Sequence, residues 1–288
     1  MSTPGQNVVS TTRRPQLSGP DRLYLDLAAP AQSWELPSGL QSVCVTAAVA
    51  RLAACAADPA GSAAVNVAGT IKLFEKLAAS GIHAVFLSTN QVFDGDIPNV
   101  PADAATCPVS EYGRQKAQAE IALKGLIARG APIAVLRLAK VLGPDMPLLR
   151  NWMQALTRGE AVRAFYDMTM APTPTELVVD AIAKIMRDRA RGVFQLTGPV
   201  DASYVEIARH LAHRVGADPT LVQEVSAHSV GLPEGCTPRY TTLDSSFLRE
   251  AYGLAVPDVW QVIETFMARP ALAAAEPRAG RAPQPTSI

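Results

Sequence analysis

Tyr112 and Lys116, in the stretch SEYGRQKAQAE, are the residues whose types and spacing most directly suggest chemistry. Positions four apart share one face of an α-helix, so the phenol and the ammonium would lie beside each other. A phenol with a pKa of about 10 is a poor acid at neutral pH, but an adjacent ammonium favours the phenolate and lowers the pKa toward the working range. Tyr112 is therefore a candidate proton donor to a carbonyl oxygen.

A hydroxyl from a second element would complete such a site by hydrogen-bonding the same carbonyl oxygen. The stretch FLSTNQVFDG supplies Ser88 and Thr89 at the carboxyl end of a predicted buried strand. The carboxyl ends of parallel strands form the edge at which an open α/β sheet binds its ligands. We therefore expect one of these hydroxyls to converge with Tyr112 and Lys116 at that edge.

The elements that must position these residues can be predicted from the sequence. Ser110 is a good N-cap residue, apolar residues then recur with helical period, and Gly130 ends the helix. Short apolar runs alternate with helical stretches along the chain: NVVSTT, RLYLDL, SVCVTAA, HAVFLST and IAVLRLA. From residue 41 on, this alternation is typical of parallel βαβ units and predicts an α/β fold.

The chain divides into three predicted parts. Residues 1–145 carry the alternating strands and helices. Residues 146–268 are predicted to form mainly a smaller lobe, with helices in LLRNWMQALTRG, TELVVDAIAKIMRD and SYVEIARHLAHRVG. Residues 269–288 have almost no large apolar side chains, so burial cannot offset the entropy cost of ordering them. We expect a disordered tail there.

The composition of the chain limits the classes of binding partner that the protein can have. The 288 residues include 26 basic and 26 acidic side chains, so no global field favours nucleic acid or an anionic membrane. The cysteines and histidines lack the spacing of a metal site or a disulfide framework, and no metal is expected. The sequence has no apolar signal core and no long uncharged apolar run, which indicates a soluble cytoplasmic protein.

Five motifs in one order resemble a known family: VNVAGT, FLSTNQVFDG, PVSEYGRQKAQAE, VLRLAKVLGP and PRYTTLDSSFLREAYGL. Over roughly residues 20–265 they resemble the extended short-chain dehydrogenase/reductases, and most of all the dTDP-4-dehydrorhamnose reductase branch. The resemblance implies a Rossmann-like, doubly wound parallel sheet with a smaller C-terminal substrate lobe. It also implies reduction of a keto group on a nucleotide-activated sugar, with NADP or NAD as the cofactor.

The resemblance assigns roles to the catalytic candidates. Tyr112 resembles the family's proton donor, and Lys116 resembles the ribose-binding partner that lowers the tyrosine pKa. Thr89 resembles the hydroxyl that orients the carbonyl, with Ser88 as the alternative.

The cofactor positions are matched only in part. Asp26 in YLDLA matches an adenine-contacting position, and the stretch along which the family's cofactor runs matches Thr46, Ala47 and Ala48. The family's glycine-rich turn, whose backbone amides hold the pyrophosphate, has no match in this sequence. NVVSTT resembles the family's second strand. Either it takes the place of the missing central strand, or the start of the sequence is late.

Arg13 and Arg14 follow NVVSTT directly. If that segment is the usual second strand, the two guanidinium groups lie where the 2′-phosphate of NADP would lie. The alternative is a solvated surface pair.

Substrate positions also depart from the resembled branch. Asn90 and Gln91 stand where that branch has Asp-Tyr, and Lys140 stands where it has a Trp. Lys140 is either a partner for a substrate phosphate or carboxylate or a solvated residue after a strand. The stretch FYDMTMAPTPTE resembles the family's substrate-lobe segment near the cleft, which implies three lining residues: Met170, Pro172 and Thr173.

Two functions remain open at this point. The retained Tyr112 and Lys116 favour an NAD(P)-dependent reductase of a nucleotide-sugar-like small molecule. The absent glycine-rich turn favours a non-catalytic regulatory or partner-binding subunit related to the same family. The corresponding assemblies are a homodimer and a complex with a regulatory partner protein.

Overall fold

The computed structural model describes residues 7–29, 34–143, 146–232 and 237–268. The predicted tail at 269–288 lies outside the described residues. Within the described ranges, no helix combines the length and the apolar character needed to cross a membrane.

The strands alternate with helices along most of the chain, as an α/β fold requires. The described strands are β1 (Ser10–Thr12), β2 (Arg22–Tyr24), β3 (Ser42–Val45), β4 (His83–Thr89), β5 (Ile133–Leu138), β6 (Val141–Leu142), β7 (Val162–Phe165), β8 (Thr169–Met170), β9 (Thr173–Pro174), β10 (Gly192–Leu196), β11 (Ala202–Ser203) and β12 (Val222–Val225). The described helices are α1 (Leu52–Ala57), α2 (Pro59–Ala63), α3 (Thr70–Ala79), α4 (Glu111–Ala128), α5 (Pro147–Thr157), α6 (Thr175–Arg187), α7 (Tyr204–Arg214), α8 (Ser246–Tyr252) and α9 (Val259–Met267). The three helices predicted after residue 145 correspond to α5, α6 and α7, and all three predictions are confirmed.

A parallel four-stranded sheet with the order β10-β5-β4-β3 forms the centre of the fold. Every residue of β5 is buried, and β4 is nearly so, as expected for strands covered on both faces. In the register of β4 and β5, Ser88 lies opposite Arg137 and Thr89 lies opposite Leu138. The predicted α/β class with a parallel sheet is confirmed.

Helices cover both faces of this sheet. On one face, Phe74 and Leu77 of α3 and Leu123 of α4 pack against apolar residues of β4 and β5. On the other face, Ile185 of α6 and Leu248 of α8 do the same. This two-sided arrangement is the doubly wound architecture implied by the family resemblance.

The segment NVVSTT does not replace a central strand. Its last three residues form β1, which pairs in parallel with β2 in a separate two-stranded sheet. In the described residues, β3 is an edge of the four-stranded sheet. The interpretation that NVVSTT enters the main sheet is therefore wrong for the described chain. The physical reason is the pairing within the segment itself: a crossover that holds a short 3₁₀ helix, Pro15–Leu17, returns the chain so that β2 lies parallel to β1. The alternative, a late start of the sequence, stays a prediction.

A second core lies beyond the sheet. It joins α5, α7, α9 and the β7–β12 pair, and its fully buried side chains include Leu149, Ile207 and Ile263. The prediction that residues 146–268 belong mainly to this lobe needs a qualification. Both α6 and β10 lie in that range but complete the sheet unit, because β10 hydrogen-bonds to β5 along its whole length.

Candidate functional site

Helix α4 begins where the sequence predicts, and its first turn carries Tyr112. The Ser110 hydroxyl caps the helix by accepting a hydrogen bond from the Gly113 amide at 3.0 Å, and it donates to the Gln91 Oε1 atom at 3.1 Å. These bonds hold the start of α4 against the turn that follows β4, Asn90–Val92. Gly130, at φ 94°, ends the helical segment as predicted.

Lys116 joins the helix to the central sheet. Its Nζ atom donates to the Leu87 carbonyl oxygen at 2.6 Å and lies 4.0 Å from the centre of the Phe86 ring. The same Nζ atom is 6.0 Å from the centre of the Tyr112 ring, so the predicted sharing of one helix face is confirmed. The ammonium therefore lies between the phenol and the carboxyl end of β4.

Burial shifts the pKa values of both Tyr112 and Lys116. Burial, and to a lesser extent the nearby Cys55, raises the pKa of Tyr112 to about 12. Burial also lowers the pKa of Lys116 to about 8, against the opposing effect of Glu120. In the protein alone, the raised pKa reflects loss of water around the phenolate; the lowering is expected with a cationic nicotinamide near Lys116, and it stays a prediction. Tyr112 thus keeps its proton at neutral pH, as a proton donor must.

The structure separates the two candidate hydroxyls on β4. Ser88 Oγ donates to the Glu120 carboxylate at 2.6 Å and is committed to that buried partner. Thr89 Oγ1 accepts a hydrogen bond from the backbone N–H of Gln91 at 3.2 Å and lies 3.4 Å from Asn90 Oδ1. The Thr89 hydroxyl therefore holds the turn at the end of the strand. This geometry favours Thr89 over Ser88 for contact with a carbonyl oxygen.

The two hydroxyls give a direct comparison by mutation. Thr89→Val should reduce kcat by about tenfold or more, because a substrate oxygen would lose one hydrogen bond of about 1.5 kcal/mol. Ser88→Ala should affect the free energy of unfolding more than turnover, since its partner is the buried Glu120. Steady-state kinetics and urea unfolding of both variants check this. A larger kcat loss in Ser88→Ala would reverse the assignment.

A polar clamp holds the chain after β3. Asn66 lies in a π-helical segment, Ala64–Gly69, and its amide accepts from the Val49 backbone N–H at 2.8 Å and donates to the Val49 carbonyl at 2.9 Å. The Asn66 amide also donates to Gln115 of α4 at 2.8 Å. These bonds satisfy the buried Asn66 amide, and the clamp ties Val49, which follows Thr46, Ala47 and Ala48, to Gln115 of α4.

The predicted adenine and 2′-phosphate residues lie together at the small sheet. Arg13 and Arg14 directly follow β1 and are exposed. Asp26 follows β2, where its carboxylate accepts from the Ala28 amide at 2.9 Å. The three residues follow the carboxyl ends of the parallel β1–β2 pair, and their contact with a common ligand stays a prediction.

The predicted substrate residues divide into two groups. Near the turn after β4, Gln91 is engaged by Ser110, and Asn90 lies within reach of Thr89. Lys140 follows β5, is partly buried, and has its pKa lowered by that burial. The side chains of the other three are buried: Met170, Pro172 and Thr173. Contact between a bound molecule and those buried side chains stays a prediction.

Sequence reasoning missed the ionic residues beneath the site. Glu120 and Arg137 are fully buried and form an ion pair with a shortest N–O distance of 2.7 Å. A signal was present, because Arg137 interrupts the otherwise apolar strand IAVLRLA and a buried arginine needs a partner. The identity of that partner required the register of β4, β5 and α4.

Comparisons with known proteins agree with this architecture. The chain matches the family model described as RmlD substrate binding domain over residues 4–271. It is 32% identical over 189 residues to dTDP-4-keto-6-deoxy-D-glucose reductase of Streptomyces niveus, covering 65% of this chain and 65% of that protein's length. It is 26% identical over 253 residues to dTDP-4-dehydrorhamnose reductase of Burkholderia thailandensis, covering 81% and 84% respectively.

Solved structures show the same fold. A dTDP-4-dehydrorhamnose reductase of Clostridium acetobutylicum superposes with a TM-score of 0.72 at 19% identity, covering 88% of this chain and 92% of that one. MoeE5, in complex with UDP-glucose and NAD, superposes with a TM-score of 0.72 at 24% identity, covering 93% and 91%. From the family match across nearly its whole length, the chain belongs to the RmlD substrate-binding-domain family.

Proposed function

We propose that this protein is an NAD(P)-dependent reductase of a keto group on a nucleotide-activated sugar. The observation that carries the proposal is that Lys116 Nζ bonds the Leu87 carbonyl oxygen and lies 6.0 Å from the centre of the Tyr112 ring, while Thr89 ends the same strand at the carboxyl edge of the sheet. Such an edge is the ligand-binding side of a doubly wound fold. The relatives' printed names, both of them dTDP-sugar reductases, support the same substrate class.

The residues present fit the nicotinamide half of such a cofactor. Small residues, Thr46 to Ala48, follow β3; Asn66 holds the next residue, Val49, and bonds Gln115, the neighbour of Lys116 on α4. When bound, a reduced nicotinamide would supply the hydride for the carbonyl carbon. The sequence has no glycine-rich turn for the pyrophosphate, so the backbone groups that would bind that part remain unassigned.

The protein side of the reaction is a proton transfer. Tyr112 gives its phenolic proton to the carbonyl oxygen as the carbon gains hydride, so the keto group becomes an alcohol. Thr89 hydrogen-bonds the same oxygen and orients it. The charged form of Lys116 stabilises the phenolate left on Tyr112. Since that ammonium has a pKa of about 8, turnover should decline as the pH rises through 8.

Arg13 and Arg14 support a preference for NADP within this proposal. Two exposed guanidinium groups after β1 offer charge-assisted hydrogen bonds to a 2′-phosphate, worth about 1.5–3 kcal/mol each. The double variant Arg13→Ala/Arg14→Ala should therefore weaken NADPH binding about tenfold or more and leave NADH binding nearly unchanged. Fluorescence titration with both dinucleotides checks this. Equal weakening of both would remove the 2′-phosphate role.

The substrate contacts belong to the same proposal. Lys140 lies two residues beyond Leu138, which pairs with Thr89, and this position supports a contact between its partly buried ammonium and an anionic group of the substrate. Asn90 and Gln91 border the turn after β4, and the segment containing Met170, Pro172 and Thr173 approaches from the lobe. A homodimer and a cytoplasmic location stay predictions.

The proposed function is tested by incubating the protein with dTDP-linked 4-keto sugars and either NADPH or NADH. The reaction is monitored as the loss of absorbance of the reduced dinucleotide. Turnover that depends on both the dinucleotide and the keto sugar supports the proposal. Tight dinucleotide binding with no turnover of any dTDP- or UDP-linked keto sugar would contradict it. The relatives named above give no support to a non-catalytic regulatory subunit.

A further inference from the structure

A buried polar row crosses the sheet one residue before the catalytic edge. In the strand register, Arg137 of β5 lies between Ser88 of β4 and Gln195 of β10. Glu120 of α4 faces the row: its carboxylate accepts from Arg137 Nε at 3.0 Å, from Arg137 Nη2 at 2.7 Å and from Ser88 Oγ at 2.6 Å. Arg137 Nη1 completes the row by donating to Gln195 at 3.0 Å.

Stability alone is a poor explanation for this ion pair. Both side chains are 0% exposed, and taking two charges out of water costs several kcal/mol per ion. Apolar residues of similar volume often serve at least as well in such a place. The hydrogen-bond partners of Glu120 and Arg137 indicate another role for the pair. Glu120 connects the helix that carries Tyr112 and Lys116 to β4, the strand that ends at Thr89.

The position of Glu120 on its helix links it to the reaction. Tyr112, Lys116 and Glu120 are spaced four residues apart on α4, so they share one face. Glu120 is the carboxylate that acts on Lys116, and it favours the ammonium against the effect of burial. Two cations face Glu120 in turn: Arg137 from β5, and Lys124 from the same helix at 3.9 Å.

In the part of the chain that the structure describes, the other groups that contact Lys116 are neutral. From β4 it meets the Phe86 ring and the Leu87 carbonyl oxygen, and Ser88 contributes a hydroxyl to Glu120. From α1, Cys55 lies near Tyr112, and burial raises the pKa of its thiol. One carboxylate thus offsets three nearby cations.

We propose that Glu120 and Arg137 form a positioning pair for the reaction, in which Glu120 keeps Lys116 charged and Arg137 fixes the Glu120 carboxylate between helix α4 and strand β4. This proposal rests on the proposed reductase function. It assigns no contact with substrate or cofactor to either residue. A merely structural pair would stabilise the fold without changing the ionisation of Lys116.

Two substitutions that break the same ion pair separate these roles. Glu120→Gln removes the attracting carboxylate, so the alkaline limb of the kcat/KM profile should move down by about one pH unit. Arg137→Met removes the guanidinium that fixes the Glu120 carboxylate, so the midpoint of the limb should also fall, by no more than in Glu120→Gln. A structural role alone would lower activity in both variants and leave the limb at its wild-type pH. That result would overturn the proposal.

The double variant Glu120→Gln/Arg137→Met guards against failure to fold, because it removes both charges of the buried ion pair together. Its alkaline limb should lie below the wild-type pH, as in Glu120→Gln; a limb at the wild-type pH would overturn the proposal.

An NMR titration of the ¹³Cε resonance of Lys116, assigned with Lys116→Arg, tests the same point without turnover. A lower titration midpoint for Lys116 in Glu120→Gln than in wild type supports the proposal even if the protein reduces none of the keto sugars assayed. Identical midpoints would overturn it even if the protein proves to be an active reductase.

Discussion

Tyr112→Phe is expected to reduce kcat by about 10²–10⁴-fold, the usual contribution of a positioned general acid. The substitution removes the phenolic proton and leaves the ring, which burial holds beside Lys116. Dinucleotide binding should change little, because Lys116 and Val49, which Asn66 holds, stay in place. Measuring kcat by steady-state kinetics and Kd by fluorescence titration separates the two effects.

Tyr204→Phe is the matched control for that experiment. Tyr204 is buried in the lobe, with 3% exposure, and burial raises its pKa to about 12, as it does for Tyr112. A general effect of removing a buried phenol would therefore appear in both variants. We expect near wild-type kcat in Tyr204→Phe. Wild-type turnover in Tyr112→Phe would refute the proton-donor role, whatever the control shows.

Local signals in the sequence were sufficient for the helix that carries the site. Ser110 supplies a side-chain cap and Gly130 a left-handed stop, and both effects operate within one helical turn. The spacing of Tyr112 and Lys116 likewise fixes their shared face without any tertiary information. These features were predictable because each depends on residues close together in the sequence.

Other features depend on residues far apart and could not be read from local patterns. The pair between Glu120 and Arg137 exists because α4 packs on β5, and the commitment of Ser88 to Glu120 depends on the same packing. Apolar character predicted NVVSTT as a strand but did not indicate which strand it would join. The burial that raises the pKa of Tyr112 in the protein alone could not be read from the sequence either, because the degree of burial is a tertiary property.

A glycine on α4 tests how closely the site must be assembled. A Cβ atom on Gly113 would overlap the Gln91 carbonyl oxygen and come within 3.1 Å of Ser110 Oγ. Gly113→Ala must therefore push α4 away from the turn that follows Thr89. We expect the free energy of unfolding to fall by about 1–3 kcal/mol, the usual cost of overpacking. We also expect kcat to fall at least tenfold, since a misplacement near 1 Å costs that much or more.

Gly125→Ala, on the same helix, should have the opposite effect on stability. A Cβ atom there would meet Arg129 Nη1 at 3.7 Å, an ordinary contact, and alanine removes the backbone entropy cost of a helical glycine. The free energy of unfolding should rise by about 0.5–1 kcal/mol with kcat unchanged. Urea unfolding and kinetics of both variants give the comparison. If Gly113→Ala lost stability but kept wild-type kcat, the spacing between α4 and the Asn90–Val92 turn would not govern catalysis. If it lost both while Gly125→Ala gained stability, close approach at Gly113 would be the feature that aligns Tyr112 with Thr89.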